Sequence, residues 1–120
     1  MIMTQSGSPQ AGRRAFAHDA VVAMNADADP AAPGGAITTA LCGHWEHEPP
    51  CPLAPHHTAA RRDGRNDVVL RILFATEPDR EREVRMLINQ ALGAQWEVRR
   101  SGAGVVQPAE RAHADRLVRD

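Results

Sequence analysis

The sequence predicts an α+β fold: a small, mainly antiparallel sheet in the order β-β-β-α-β, with one amphipathic helix packed on a face and a C-terminal helix. Three observations carry this. Residues 67–75 alternate as a strand, residues 84–92 carry a helical stripe, and short extended stretches separated by Gly and Pro surround them. A helix laid across one face of an antiparallel sheet is the economical way to bury both apolar surfaces.

The chain has 120 residues, the length of one domain. Residues 1–35 are expected to form a disordered N-terminal segment, because Ala26–Gly35 is a run of small residues with little to bury. A short amphipathic helix over Arg14–Met24 would be marginal by itself, and Met24 is an alternative start of translation. The folded domain then covers 36–120.

Within it, Ile37–Glu46 reads as the first strand, with Thr38, Thr39 and Trp45 at positions that suit extended backbone. Prolines 49, 50, 52 and 55 make the following segment a stiff loop. His56–Arg62 and Asp67–Ala75 are paired strands joined through Asp63-Gly64, a hairpin signal. In the second of these, Val68, Leu70, Ile72 and Phe74 share one face and Val69, Arg71 and Leu73 the other. Apolar residues on both sides predict a central position.

Thr76 is placed to cap the next helix, over 77–92, with Pro78 and Asp79 in its first turn. Val84, Leu87, Ile88, Ala91 and Leu92 form its buried stripe, and Gly93 suits a left-handed terminus. Gln95–Arg100 reads as a last strand with Trp96 and Val98 inward, Ser101–Gly104 as a turn, and Pro108–Val118 as a weakly amphipathic helix.

Function concentrates in residues 42–57, which hold both cysteines and four of the six histidines in the pattern C-x-H-x2-H-x3-C-x4-H-H. Thiolate and imidazole together suit zinc better than magnesium or calcium. The spacing matches neither paired C-x2-C knuckles nor a classical zinc finger. In an extended chain Cys42 and His44 point the same way, Cys51 sits on the proline-stiffened loop, and His56 and His57 face opposite sides. The expected ligands are therefore Cys42, His44, Cys51 and His57, with His47 and His56 as substitutes, and Glu46 or Glu48 orienting an imidazole. Against this stands the plain reading, in which the cysteines pack as small hydrophobes and the histidines are solvated. A Cys42–Cys51 disulfide is disfavoured for want of an export signal, which places the chain in the cytoplasm with reduced thiols.

The remaining composition narrows the class. All 14 basic residues are arginine, 15 are acidic, and the net charge of −1 is interspersed, so nothing steers the chain to nucleic acid or an anionic membrane. No apolar run is long enough to span a bilayer. No Walker loop, H-E-x-x-H motif or oxyanion loop is present, which points away from an enzyme. The expectation is a non-enzymatic zinc-binding interaction or accessory module with a protein partner. The alternatives are a metal-free homodimer that pairs a sheet edge, and a small metal-dependent hydrolase.

Overall fold

The computed structural model describes residues 12–42 and 54–119. Its elements are β1 (Arg14–Ala23), α1 (Ala32–Cys42), β2 (His56–Asp63), β3 (Asp67–Thr76), α2 (Glu81–Gly93), β4 (Val98–Gly104) and α3 (Arg111–Arg119). Turns of 3-10 helix at Pro78–Arg80 and Pro108–Glu110 lead into α2 and α3. Among the described residues the sheet has four strands in the order β2-β3-β1-β4, every pair antiparallel. Two interleaved split β-α-β units with this order make the ferredoxin-like arrangement, to which α3 is appended. The α+β class and the antiparallel sheet are as the sequence predicts, but the element order is β-α-β-β-α-β-α.

The sheet separates two apolar layers. On one face Ala20, Val22, Val68, Leu70, Ile72 and Phe74 pack against Ile37 and Leu41 of α1 and Val84, Ile88 and Leu92 of α2. On the other, Ala17, Leu73 and Ala75 receive Leu117 of α3. The hairpin and the central position of residues 67–75 hold, with Gly64 at φ 77° supplying the left-handed turn residue. Among the described residues no helix is long and apolar enough to cross a membrane.

The first correction concerns residues 12–35, the described part of the segment expected to be disordered. Arg14–Ala23 is neither disordered nor helical; it is a central strand, bonded to β3 along its whole length and to β4 on its other edge. Its alternation is masked in sequence because His18 points into the core while Asp19 is exposed. A chain started at Met24 would lack this strand.

The second concerns residues 37–46. Ala32–Cys42 is a helix rather than the start of a strand. The Asp29 carboxylate accepts a hydrogen bond from the Ala31 backbone N–H at 2.9 Å, holding the approach to the helix. Pro33, Ile37 and Leu41 recur every four residues and are buried. Burial of that stripe outweighs the poor helix propensity of the glycines and threonines. Residues 43–46 lie outside the described residues.

At the C-terminal side, α2 runs on through Gly93 into the right-handed Ala94, so Gly93 is not its left-handed cap. Trp96 precedes β4 and packs against the core from a turn closed by the Trp96 N–H to Leu92 carbonyl bond of 2.9 Å. Strand β4 extends through Ser101–Gly104, where the sequence suggests a turn. Gly104 is small for a reason: a Cβ there would lie 2.6 Å from Arg71 Nη1 and collide with the Asp19 carboxylate.

Candidate functional site

The C-terminus of α1 and the start of β2 meet at Cys42 and His56, two described residues of the Cys/His segment. Cys42 ends α1 and is 3% exposed. Its Sγ lies 3.8 Å from His56 Nδ1 and 4.0 Å from the Ala54 carbonyl oxygen. His56 is held from two sides. Its Nδ1 is 3.1 Å from the Ala54 carbonyl, which only accepts, so Nδ1 carries the proton. Nε2 is then the acceptor for the Thr38 hydroxyl at 2.9 Å. Burial lowers the His56 pKa, the bond to Ala54 opposes this, and His57 adds to the lowering, so the ring is neutral near pH 7.

Cys42 is disulfide-bonded, which corrects the expectation of a reduced thiol. The chain has one other cysteine, Cys51, nine positions further on and outside the described residues.

Of the expected ligands, His44, Cys51 and the substitute His47 lie outside the described residues. The structure brings Cys42 together with His56. His57, the next residue along β2, pairs in register with Leu73 on the opposite face of the sheet. There its ring lies 4.7 Å, centroid to centroid, from that of His113 in α3. Strand alternation allows only one of the two adjacent histidines to join Cys42, and α1 covers the face that takes His56. Among the described residues no group of three or more His, Cys, Asp or Glu side chains could hold a metal ion. Thr38 and His113 escape a sequence reading, since neither lies in the Cys/His segment.

A second polar cluster resembles a nucleophile–base pair. His18 is 1% exposed, and its Nε2 lies 2.8 Å from Ser101 Oγ. However, the Arg85 guanidinium, which only donates, is 2.9 Å from His18 Nδ1. The lone pair is therefore on Nδ1, and Nε2–H donates to Ser101, whose hydroxyl donates in turn to Asn89 Oδ1. With its proton already on Nε2, His18 has no lone pair with which to deprotonate Ser101. Burial and the Arg85 charge lower the His18 pKa, against the opposing influence of Asp19 and the hydrogen bond linking it to Asn89. The cluster joins β1, β4 and α2 and is structural.

No family model, no curated protein and no solved structure matches the chain.

Proposed function

We propose that the chain is a small non-enzymatic metal-binding module whose reduced form holds zinc at the base of the Cys/His segment, with Cys42 and His56 as the two anchoring ligands. The observation that carries this is the Cys42 Sγ to His56 Nδ1 distance of 3.8 Å. Tetrahedral zinc with Zn–S about 2.3 Å and Zn–N about 2.05 Å holds sulfur and nitrogen about 3.6 Å apart. The pair is thus near-spaced for one ion before any metal arrives.

On reduction Cys42 supplies a thiolate. His56 transfers its proton from Nδ1 to Nε2, where Thr38 Oγ1 becomes the acceptor that orients the ring. His44, His47 and Cys51 are the donors from which the remaining positions are filled, and His57 is not among them. In this reading the protein works in a reducing compartment, the cytoplasm, and presents the metal-bearing segment to a protein partner.

The test is zinc content per chain after reduction and anaerobic dialysis. One zinc in the reduced protein, none in the disulfide form, loss in His56→Phe and retention in His57→Gln are the expected results. A reduced, folded protein without zinc would overturn the reading.

A second reading is self-association. The sheet face beyond α3 carries a cavity of about 450 Å³ whose lining includes Asp19, Val21, Val69 and Arg100, and a second copy could cover it. Light scattering across a concentration series tests it, and a strict monomer removes it.

A further inference from the structure

We infer that His57 and His113 form a second, open metal site, a two-imidazole clamp for a late first-row divalent cation, on the sheet face opposite Cys42. It is independent of the reduced zinc site and needs no thiol.

The two rings come from elements far apart in sequence. His57 is the second residue of the edge strand β2, and His113 is the third residue of α3. Their centroids are 4.7 Å apart and their planes tilted by 57°. Two imidazole nitrogens on one ion lie about 3 Å apart, at metal–nitrogen distances near 2.0–2.1 Å. Rings this close reach that spacing by rotation about χ2, which is a soft torsion for histidine. His57 is exposed and His113 half-buried, so water has access to the remaining coordination positions.

The neighbouring groups fix the chemistry. Glu110 lies one turn before His113, yet its carboxylate is engaged by Arg71, with Nη2 at 2.7 Å and Nε at 3.0 Å. The protein therefore offers two imidazole nitrogen donors, with that carboxylate committed elsewhere. Among divalent first-row ions copper binds nitrogen sites most tightly and zinc less so, so two imidazoles retain copper where zinc is lost on dialysis. Such an ion would tie α3 to β2, extending a docking that already rests on Leu117 against Ala17, Leu73 and Ala75.

The experiment is titration of the disulfide-intact full-length protein with Cu2+, read by calorimetry and by electron paramagnetic resonance. The expected result is one ion with coupling to two imidazole nitrogens. His57→Gln and His113→Gln, each checked for an unchanged circular dichroism spectrum, should each weaken binding by about 10²-fold, the loss of one arm of a chelate. Absence of binding by the parent protein, or unchanged affinity in either variant, overturns the inference. Zinc uptake by the reduced protein is a separate readout, so failure there leaves this result standing and the reverse also holds.

Discussion

Arg85 and His18 meet through one nitrogen: the guanidinium Nη1 of Arg85 lies 2.9 Å from Nδ1 of His18 in the interface between α2 and the sheet. The same Nη1 donates to the Ala17 carbonyl at 2.9 Å, and the guanidinium carbon sits 5.2 Å from the Phe74 ring centroid. A fixed positive charge so placed disfavours a second one on the imidazole.

The pH dependence follows in sign. The His18 pKa is lowered in the folded state by burial and by Arg85. The unfolded chain therefore binds a proton more readily, and stability falls as pH drops below about 6.5 toward the folded value. The slope from this one group is at most about 1.4 kcal/mol per pH unit. Urea midpoints measured from pH 7.5 to 5 should decline, and the decline should be shallower in His18→Asn. A parent midpoint flat across that range would contradict the arrangement.

Arg71 binds three partners on the opposite face: Asp19 at 2.8 Å, Glu110 at 2.7 Å and the Val105 carbonyl at 2.5 Å. Its hydrogen bonds hold the Glu110 carboxyl down at about 2, with the Gln107 backbone N–H assisting. Glu110 is thereby more acidic folded than unfolded, so its contribution is present above pH 4.5 and is lost as pH falls toward 2. Glu110→Gln should cost about 1 kcal/mol at pH 7, as expected for a well-formed Arg–carboxylate pair that is partly solvated. Gly104→Ala should cost about the same by displacing Asp19 and Arg71 from each other. Additivity of the two substitutions in a double-mutant cycle would show that they do not act on one network.

The parts legible in the sequence were those with a dense apolar pattern. Val68 to Phe74 and Val84 to Leu92 declare their period without help from the rest of the chain, and Asp63-Gly64 declares the hairpin. Strand β1 did not, because Ala15, Ala17, Ala20 and Ala23 give little hydrophobic contrast and its one buried polar residue, His18, is satisfied only by Arg85 and Ser101. Helix α1 was hidden by Gly34-Gly35 and Thr38-Thr39, whose local preference is overridden by burial of Ile37 and Leu41. At the site, the pairing of Cys42 with one of two adjacent histidines was foreseeable. Which one depended on the face that α1 covers, and that required α1 to be a helix.

Thr38 separates a positioning role from a structural one. Its hydroxyl is 2.9 Å from His56 Nε2. Under the proposed zinc reading, Thr38→Val should weaken zinc binding by the reduced protein by about 10–100-fold, the usual effect of removing a partner that orients a histidine ligand. Competition with a chromophoric chelator measures this. The melting temperature of the metal-free disulfide form serves as the control, and an equal loss in both would mean that Thr38 only packs.

Strand β1 lies between β3 and β4, so the sheet cannot close without it. A variant beginning at Met24 loses Ala17, Ala20, Val21 and Val22 from the buried layers, as well as both ladders. Burial of a single valine contributes about 1.5–3 kcal/mol, against a total stability of about 5–15 kcal/mol for a domain. This variant should show no cooperative unfolding transition by circular dichroism. A sigmoidal melt from it would mean that the sheet is held together in some other way.

Thr76 poses the sharpest contrast between sequence and structure. As a helix cap, its hydroxyl would accept a backbone hydrogen bond, and Thr76→Val would cost about 1 kcal/mol. In the structure the residue preceding the 3-10 turn is Glu77, and no side chain caps it. Thr76 is instead the last residue of β3, 0% exposed, with its Oγ1 buried and unpartnered among the described residues. A buried hydroxyl without a partner is a desolvation cost of about 1–3 kcal/mol, and valine fills the same volume without it. Thr76→Val should therefore leave stability unchanged or raise it by about 1 kcal/mol. Thr76→Ser, which keeps the hydroxyl and removes a methyl group from the core, should lower it. Chemical denaturation ranks Thr76→Val above Thr76→Ser if Thr76 belongs to the core, and gives the reverse order if it belongs to the helix.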